Sequence, residues 1–404
     1  MSIRKDYKHT LAAGYISSIT QAVINNFTPL LFVTFQEEWG ITLGQLAVLA
    51  TYNFVIQLFT DFIAPYVAEK TSVRAAMSFA HYITAAGFIA LGILPYMMDN
   101  HYIGIMIAST FYAIGGGFIE VLASPIIQAC PTKNKASNMS ILHSFYCWGQ
   151  MSAVLVSTGF FFIFGTTNWR YMSFIWAIIP LFNAIYFSLV PILISRKMRA
   201  TTKSIVELFR HKVFWIFAVM MICAGASELS IAQWASAFAE ESLGISKTAG
   251  DIAGPCLFAM MMGISRIFHS KFSKKIKLDR YILFCSVLCV ISYLITALAP
   301  VPELSLAGCA LCGFAVGIMW PGTYSLAAKQ LKHTPSTALF AMLALSGDVG
   351  CSSGPYLLGS VSDMLGNNLR AGVLAGTVFP VLMVITTIAL LKNSKKEKEL
   401  AANS

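Results

Sequence analysis

The stretch SRKMRATTKSIVELFRHK, residues 195–212, puts six Lys and Arg into the middle of a 404-residue chain of which only 11% is charged. Read outward from it, the chain breaks into apolar runs of about 20 residues or more, the length at which a helix crosses the hydrocarbon core of a bilayer. Six runs precede the stretch, at 10–35, 45–68, 75–98, 102–130, 139–165 and 169–194. Six follow it, at 212–239, 246–268, 280–299, 303–329, 335–361 and 369–391. The basic stretch is therefore the expected joint between an N-terminal half (1–194) and a C-terminal half (212–404), with 195–211 as the linker.

Composition agrees with a chain that lives in lipid. It is 57% hydrophobic, whereas soluble domains are about 45–50% apolar and about 25% charged. The runs lack the short alternation of apolar and polar residues that marks membrane strands. With both termini placed inside, the inner segments hold 25 of the 28 Lys and Arg; only Arg170, Lys247 and Arg370 fall outside. Loop Lys and Arg are retained on the cytoplasmic side, so the count predicts twelve spans with both ends in the cytoplasm. The net charge of +10 is then a matter of topology and of attraction to anionic lipid, and no nucleic-acid partner is expected. The opening MSIRKDYKHT is basic, but the apolar run after it is too long for a signal h-region, and the first span is expected to stay. Of the nine cysteines, Cys309 and Cys312 form C-x-x-C inside an apolar run; they read as small buried helix residues, and no disulfide or metal site is expected.

The halves echo each other. Gly117 and Pro125 in span 4 are spaced as Gly313 and Pro321 are in span 10. WGQ (148–150) in span 5 answers SGD (346–348) in span 11, and EKTSVR (69–74) answers KKIKLDR (274–280), each after the second span of its half. Two related six-span bundles follow, an arrangement in which solute binds near the midplane and rocking of the halves exposes it to each side in turn.

Twelve spans, a basic central loop and the loop motif PYVAEKTSVR resemble the major facilitator superfamily. The resemblance implies an all-α membrane fold of two pseudo-symmetric bundles. It also implies gating roles for Glu69, Lys70 and Arg74, with Ser72 where Gly is usual. Shorter pieces are similar to the fucose permease-like branch of sugar:proton symporters. They are AVINNF in span 1, EVLASP in span 4 with Ser124 where Asn is usual, FYCWG in span 5 with Tyr146 in an Asn position, and ELSIAQW in span 7. That branch carries an acid in span 1 tied to proton coupling; here Pro29 occupies the position.

The residues also speak without the family. On a helix, i, i+4 and i+8 share a face. Span 4 carries Glu120, Ser124 and Gln128; span 2 carries Asn53, Gln57 and Asp61; span 1 carries Gln21, Asn25 and Thr28; span 5 carries His143, Tyr146 and Gln150. Lipid does not reward such faces, so they are expected to turn to the interior or to a watered cavity. The second half offers Glu228, Gln233 and Trp234 in span 7, Trp320 and Tyr324 in span 10, and Asp348 in span 11. Amides and carboxylates beside aromatic planes suit a polyol. The expected substrate set is thus Gln21, Asn25, Asn26, Asn53, Gln57, Ser124, His143, Tyr146, Gln150, Gln233, Trp234, Trp320 and Tyr324. Arg266, at the inner end of span 8, joins the gate.

A carboxylate at mid-membrane costs about 2.5–3.5 kcal/mol even on the gentlest insertion scale. Glu120 is therefore the first candidate to take up and release a coupling proton, with Asp61, Glu228 and Asp348 behind it. The reading is a secondary active carrier of a small polar solute, a sugar by preference, driven by protons and working as a monomer in the inner membrane. Export or uncoupled passage of an amphipathic compound is the alternative within transport, and a non-transporting sensor a further one. Scattered acids and histidines do not make an enzyme, no P-loop points to ATP, and no cofactor is expected. Sodium, which carbonyls and amides can hold without a sequence mark, stays an alternative to the proton.

Overall fold

The computed structural model describes residues 3–132, 135–193, 207–272, 276–331 and 336–403; the linker expected at 195–211 lies outside them up to residue 206. Among the described residues ten helical stretches are long and apolar enough to cross a membrane. They are Tyr7–Trp39 (span 1), Leu43–Ala68 (span 2), His101–Ala129 (span 4), Ile141–Phe164 (span 5), Thr166–Leu189 (span 6), Lys212–Ser242 (span 7), Lys247–His269 (span 8), Leu278–Leu298 (span 9), Pro302–Gln330 (span 10) and Leu369–Lys392 (span 12). Two more helices, Val73–Leu91 (span 3) and Ser336–Met364 (span 11), complete the expected twelve. Both carry polar residues on buried faces: His81 and Thr84 in span 3, Asp348, Ser352 and Ser362 in span 11.

Local chemistry sets the ends. Span 2 begins at a capping box in which Thr42 and Gln45 satisfy each other's backbone N–H, two of the donors a helix start leaves orphaned. Span 3 stops at Leu91, earlier than the expected 98, because Pro95 opens a separate short helix, Leu94–Met97. Span 6 ends at Leu189 instead of 194. Span 1 is broken at the turn Thr28–Leu31, which contains Pro29.

Spans 1–6 pack among themselves, as do spans 7–12, giving two six-helix bundles. The bundles meet along span 2 with span 11 and span 5 with span 8. These are equivalent pairs if the second bundle repeats the first. The repeat is also visible atom by atom. A Cβ on Gly117 would lie 2.8 Å from the Gln57 carbonyl oxygen of span 2, and one on Gly313 would lie 2.2 Å from the Phe258 carbonyl oxygen of span 8. Each glycine lets the fourth helix of its bundle touch the backbone of the second, the close approach that small residues permit in membranes.

The outer surface is an apolar skin, with Phe162, Ile178, Phe182, Trp215 and Ile385 all exposed. Inside, hydroxyls are satisfied on their own helices, as in Thr20 to the Ile16 carbonyl and Thr387 to the Met383 carbonyl. Without water, a side chain must find such a partner. His81 bolts the first bundle together. Its Nδ1 donates to the Met77 carbonyl at 2.8 Å, which leaves Nε2 to accept from Asn183 of span 6 at 2.8 Å, with Ser17 of span 1 at 3.2 Å.

Candidate functional site

Four helices of the first bundle bring their polar stripes to one place. Gln21 of span 1 donates through Nε2 to the Gln57 side-chain oxygen at 2.7 Å and to the Glu120 carboxylate at 3.1 Å. Gln57 donates in turn to the Asn25 side-chain oxygen at 3.0 Å, and Asn53 donates to the same oxygen at 3.3 Å. Asn25 donates to the Tyr146 hydroxyl at 3.4 Å. The chain of amides therefore runs from Glu120 across spans 1 and 2 to span 5. Oxygens of Gln21, Asn53 and Gln233 are buried with no hydrogen-bond partner in the structure, which leaves unspent accepting capacity for a ligand that donates hydrogen bonds.

The second bundle reaches in through Gln233, whose Nε2 donates to the backbone oxygen of Asn25 at 3.4 Å. Pro29 stands four residues beyond Asn25 and has no N–H to offer that carbonyl. The break in span 1 thus frees an acceptor that the other bundle fills. Asn25, Asn53 and Gln233 share a small pocket with Thr28, Pro29 and Phe32.

The polar stripes grow more exposed toward the face that carries both chain ends. Along span 4, Glu120 and Ser124 are half-buried and Gln128 is exposed; along span 5, Gln150 is buried, Tyr146 half-buried and His143 exposed. The cavity opens on that face. The opposite face is shut. Thr51 of span 2 donates to the Ser352 carbonyl of span 11 at 3.2 Å, Gln36 bonds Glu241, and Phe32 packs at a tilt against Trp234 with ring centres 5.0 Å apart. Thr158 of span 5 donates to Asp251 of span 8 at 2.9 Å, and Lys247 and Ser236 hold the other oxygen of the same carboxylate.

Several expected site residues stand outside this hydrogen-bond network. Asn26 does not join the network, because its amide is spent on the Ala22 carbonyl of its own helix at 2.8 Å. Trp234 is a seam residue, fully buried, its Nε1 donating to the Pro355 carbonyl of span 11 at 3.1 Å. Trp320 is half-buried and lies against Gly347, with Tyr324 beside it at a ring separation of 6.2 Å. Glu228 is buried in span 7 with Arg266 as its electrostatic partner. Arg266 ties the bundles together on the open side, donating to the carbonyls of Gly317 at 3.2 Å and His143 at 3.0 Å. Arg74 holds the end of span 6 through the Val190 carbonyl at 3.0 Å, and Lys70 sits over the Tyr66 ring; both contacts stay within the first bundle. The Glu69 side chain lies outside the described residues. Among the described residues no group of His, Cys, Asp and Glu could hold a metal ion.

Sequence reasoning missed Asp251, wholly buried in the closed seam. Its nearness to a loop hid it; the signal available was Lys247 one helical turn before it.

A polar, acid-bearing cavity between two six-helix bundles, open on one membrane face and sealed on the other, defines a carrier and not an enzyme. A sequence profile of the Major Facilitator Superfamily matches residues 13–355, and the chain belongs to that family. A bacterial homologue of the human lysosomal transporter Spinster, solved inward-facing and occupied, superposes with a TM-score of 0.77 at 14% identity, over 95% of this chain and 97% of that one. The E. coli fucose:proton symporter FucP superposes with a TM-score of 0.64 at 16% identity, over 95% and 98%. At these identities the likeness is one of fold. No curated protein matches the chain in sequence.

Proposed function

We propose that this transporter moves a neutral sugar or similar polyol together with a proton, and that Glu120 carries the proton. The observation that supports this reading is the setting of Glu120. Its carboxylate is half-buried, meets the amide of Gln21, and stands where the polar stripe of span 4 enters the open cavity. The amides of Gln21, Asn25, Asn53, Gln57 and Gln233 offer donors and acceptors in the directions a polyol needs, with Tyr146, Trp320 and Tyr324 as aromatic surfaces. Desolvation disfavours a charged carboxylate, so a neutral Glu120 crosses the closed state at less cost than an ionised one. Proton and sugar then meet at one residue, and each changes the other's affinity by the same factor. The distribution of Lys and Arg supports an open face turned to the cytoplasm of the inner membrane.

The test is a pH electrode beside a lightly buffered suspension of energised cells or proteoliposomes carrying the protein. Adding the transported sugar is expected to make the outside medium more alkaline as protons enter with it. Uptake of sugar without that alkalinisation, or with a requirement for sodium, overturns proton coupling. Uptake of an amphipathic compound and of no sugar across a broad panel overturns the substrate class.

A further inference from the structure

Two further acids meet where the bundles touch. Asp61 of span 2 and Asp348 of span 11 bring their carboxyl groups within hydrogen-bonding reach of each other. They are 7% and 4% exposed, and an oxygen of each, Asp61 Oδ1 and Asp348 Oδ2, is buried without a hydrogen-bond partner in the structure. The titratable groups that face the pair are Glu120 of span 4, Tyr324 of span 10 and Cys351 of span 11; no cation is among them within the described residues. Gly117 of span 4 backs Asp61 so closely that a Cβ there would lie 3.0 Å from Oδ1. Two ionised carboxylates cannot sit face to face in a dry seam without a counter-ion, whereas one proton between them turns repulsion into a strong hydrogen bond.

We propose that Asp61 and Asp348 share a single proton and act as a latch that holds the two bundles together in the state closed on the face opposite the chain ends. The proposal rests on the proton-coupled reading above and adds a second residue pair with a separate task. The pair lies toward the chain-end side of the span 2–span 11 seam from its other rungs, Thr51 with Ser352 and Gly44 with Asp363. In the latched state the O–H of one carboxyl donates to the ionised oxygen of the other. Loss of that proton to the water of the open cavity leaves two like charges. They repel, the seam parts, and water entering from the other face hydrates both. The empty carrier can then return only after its proton has been released inside, which keeps a loaded proton from riding back out.

The experiment uses the full chain in nanodiscs, with spin labels on Met97→Cys and Met364→Cys. Both positions are strongly exposed, one on each bundle, and the nine native cysteines are all buried. Between about pH 5.5 and about pH 8.5 the fraction with widely separated labels is expected to rise at least about threefold. In D61N or D348N an amide donates to the remaining carboxylate without a proton, so the fraction stays low at both pH values. In E120Q the pH response persists, which separates failure of the latch from failure of the coupling role of Glu120. A wild-type protein with no pH response, or a response retained in both Asn variants, overturns the latch. Each Asn variant is compared with itself at two pH values, so a change in its overall stability does not produce the expected result.

Discussion

Gln21 is the residue on which the network turns. It gives its amide to both Gln57 and Glu120, so it links the amides proposed to bind solute to the acid proposed to carry the proton. A donor to an ionised carboxylate is worth about 1.5–3 kcal/mol, and Gln21→Leu removes it while filling the space. The ionised form of Glu120 then loses support and the protonated form persists to higher pH. Proton-driven uptake falls as pH rises through the titration of its acid, so the alkaline limb of the pH–uptake curve is expected to move upward by about one pH unit. Initial-rate uptake across a pH series checks this. An unmoved limb means that Gln21 does not report on the coupling group. At this scale the sequence was legible in part. The stripes of spans 1, 2, 4 and 5 stand out because an amide every fourth residue on an apolar helix has no other rationale. Asn26 looked the same as Asn25, because periodicity identifies a face and not whether an amide turns back to its own backbone.

The helices are held at spacings that the repeated glycines set. Gly117 and Gly313 do the same work in the two bundles, and adding a methyl group to either collides with backbone or with a packed neighbour. Gly117→Ala and Gly313→Ala are each expected to destabilise the detergent-solubilised protein by about 1–3 kcal/mol, seen as a lower midpoint of thermal unfolding. Gly159→Ala, where nothing lies within 4 Å of the added carbon, is expected to leave the midpoint unchanged or slightly raised. Equal midpoints for all three variants would show that close approach is not what these glycines provide. The glycine echo was visible in the sequence; which helix each one touches was not. The same limit applies to Trp234, which shares a helix with Gln233 but points into the seam against Phe32 and Gly359. Asp61 and Asp348 were each visible as intramembrane acids, yet their meeting joins opposite halves of the chain and leaves no local pattern.

On the scale of the whole molecule, one seam is closed and one cavity is open, and transport requires the two to exchange. The closed side is fastened by neutral and charge-assisted hydrogen bonds between the bundles, at Thr51, Thr158 and Gln233. Each contributes about 0.5–1.5 kcal/mol, or somewhat more where a carboxylate accepts. A seam built from such bonds can be opened by the differential affinity of a solute and a proton, which is the scale on which populations of two states shift. In the proposed mechanism, the carboxylate of Glu120 decides whether the carrier pumps or merely equilibrates. The most direct measurement reconstitutes Glu120→Gln in proteoliposomes and compares two readings from the same preparation: exchange of labelled for unlabelled sugar, and accumulation driven by an imposed pH gradient. The amide copies the neutral acid, so exchange is expected to remain near the wild-type rate while gradient-driven accumulation disappears. Full accumulation by Glu120→Gln would contradict the assignment of the coupling proton to this residue.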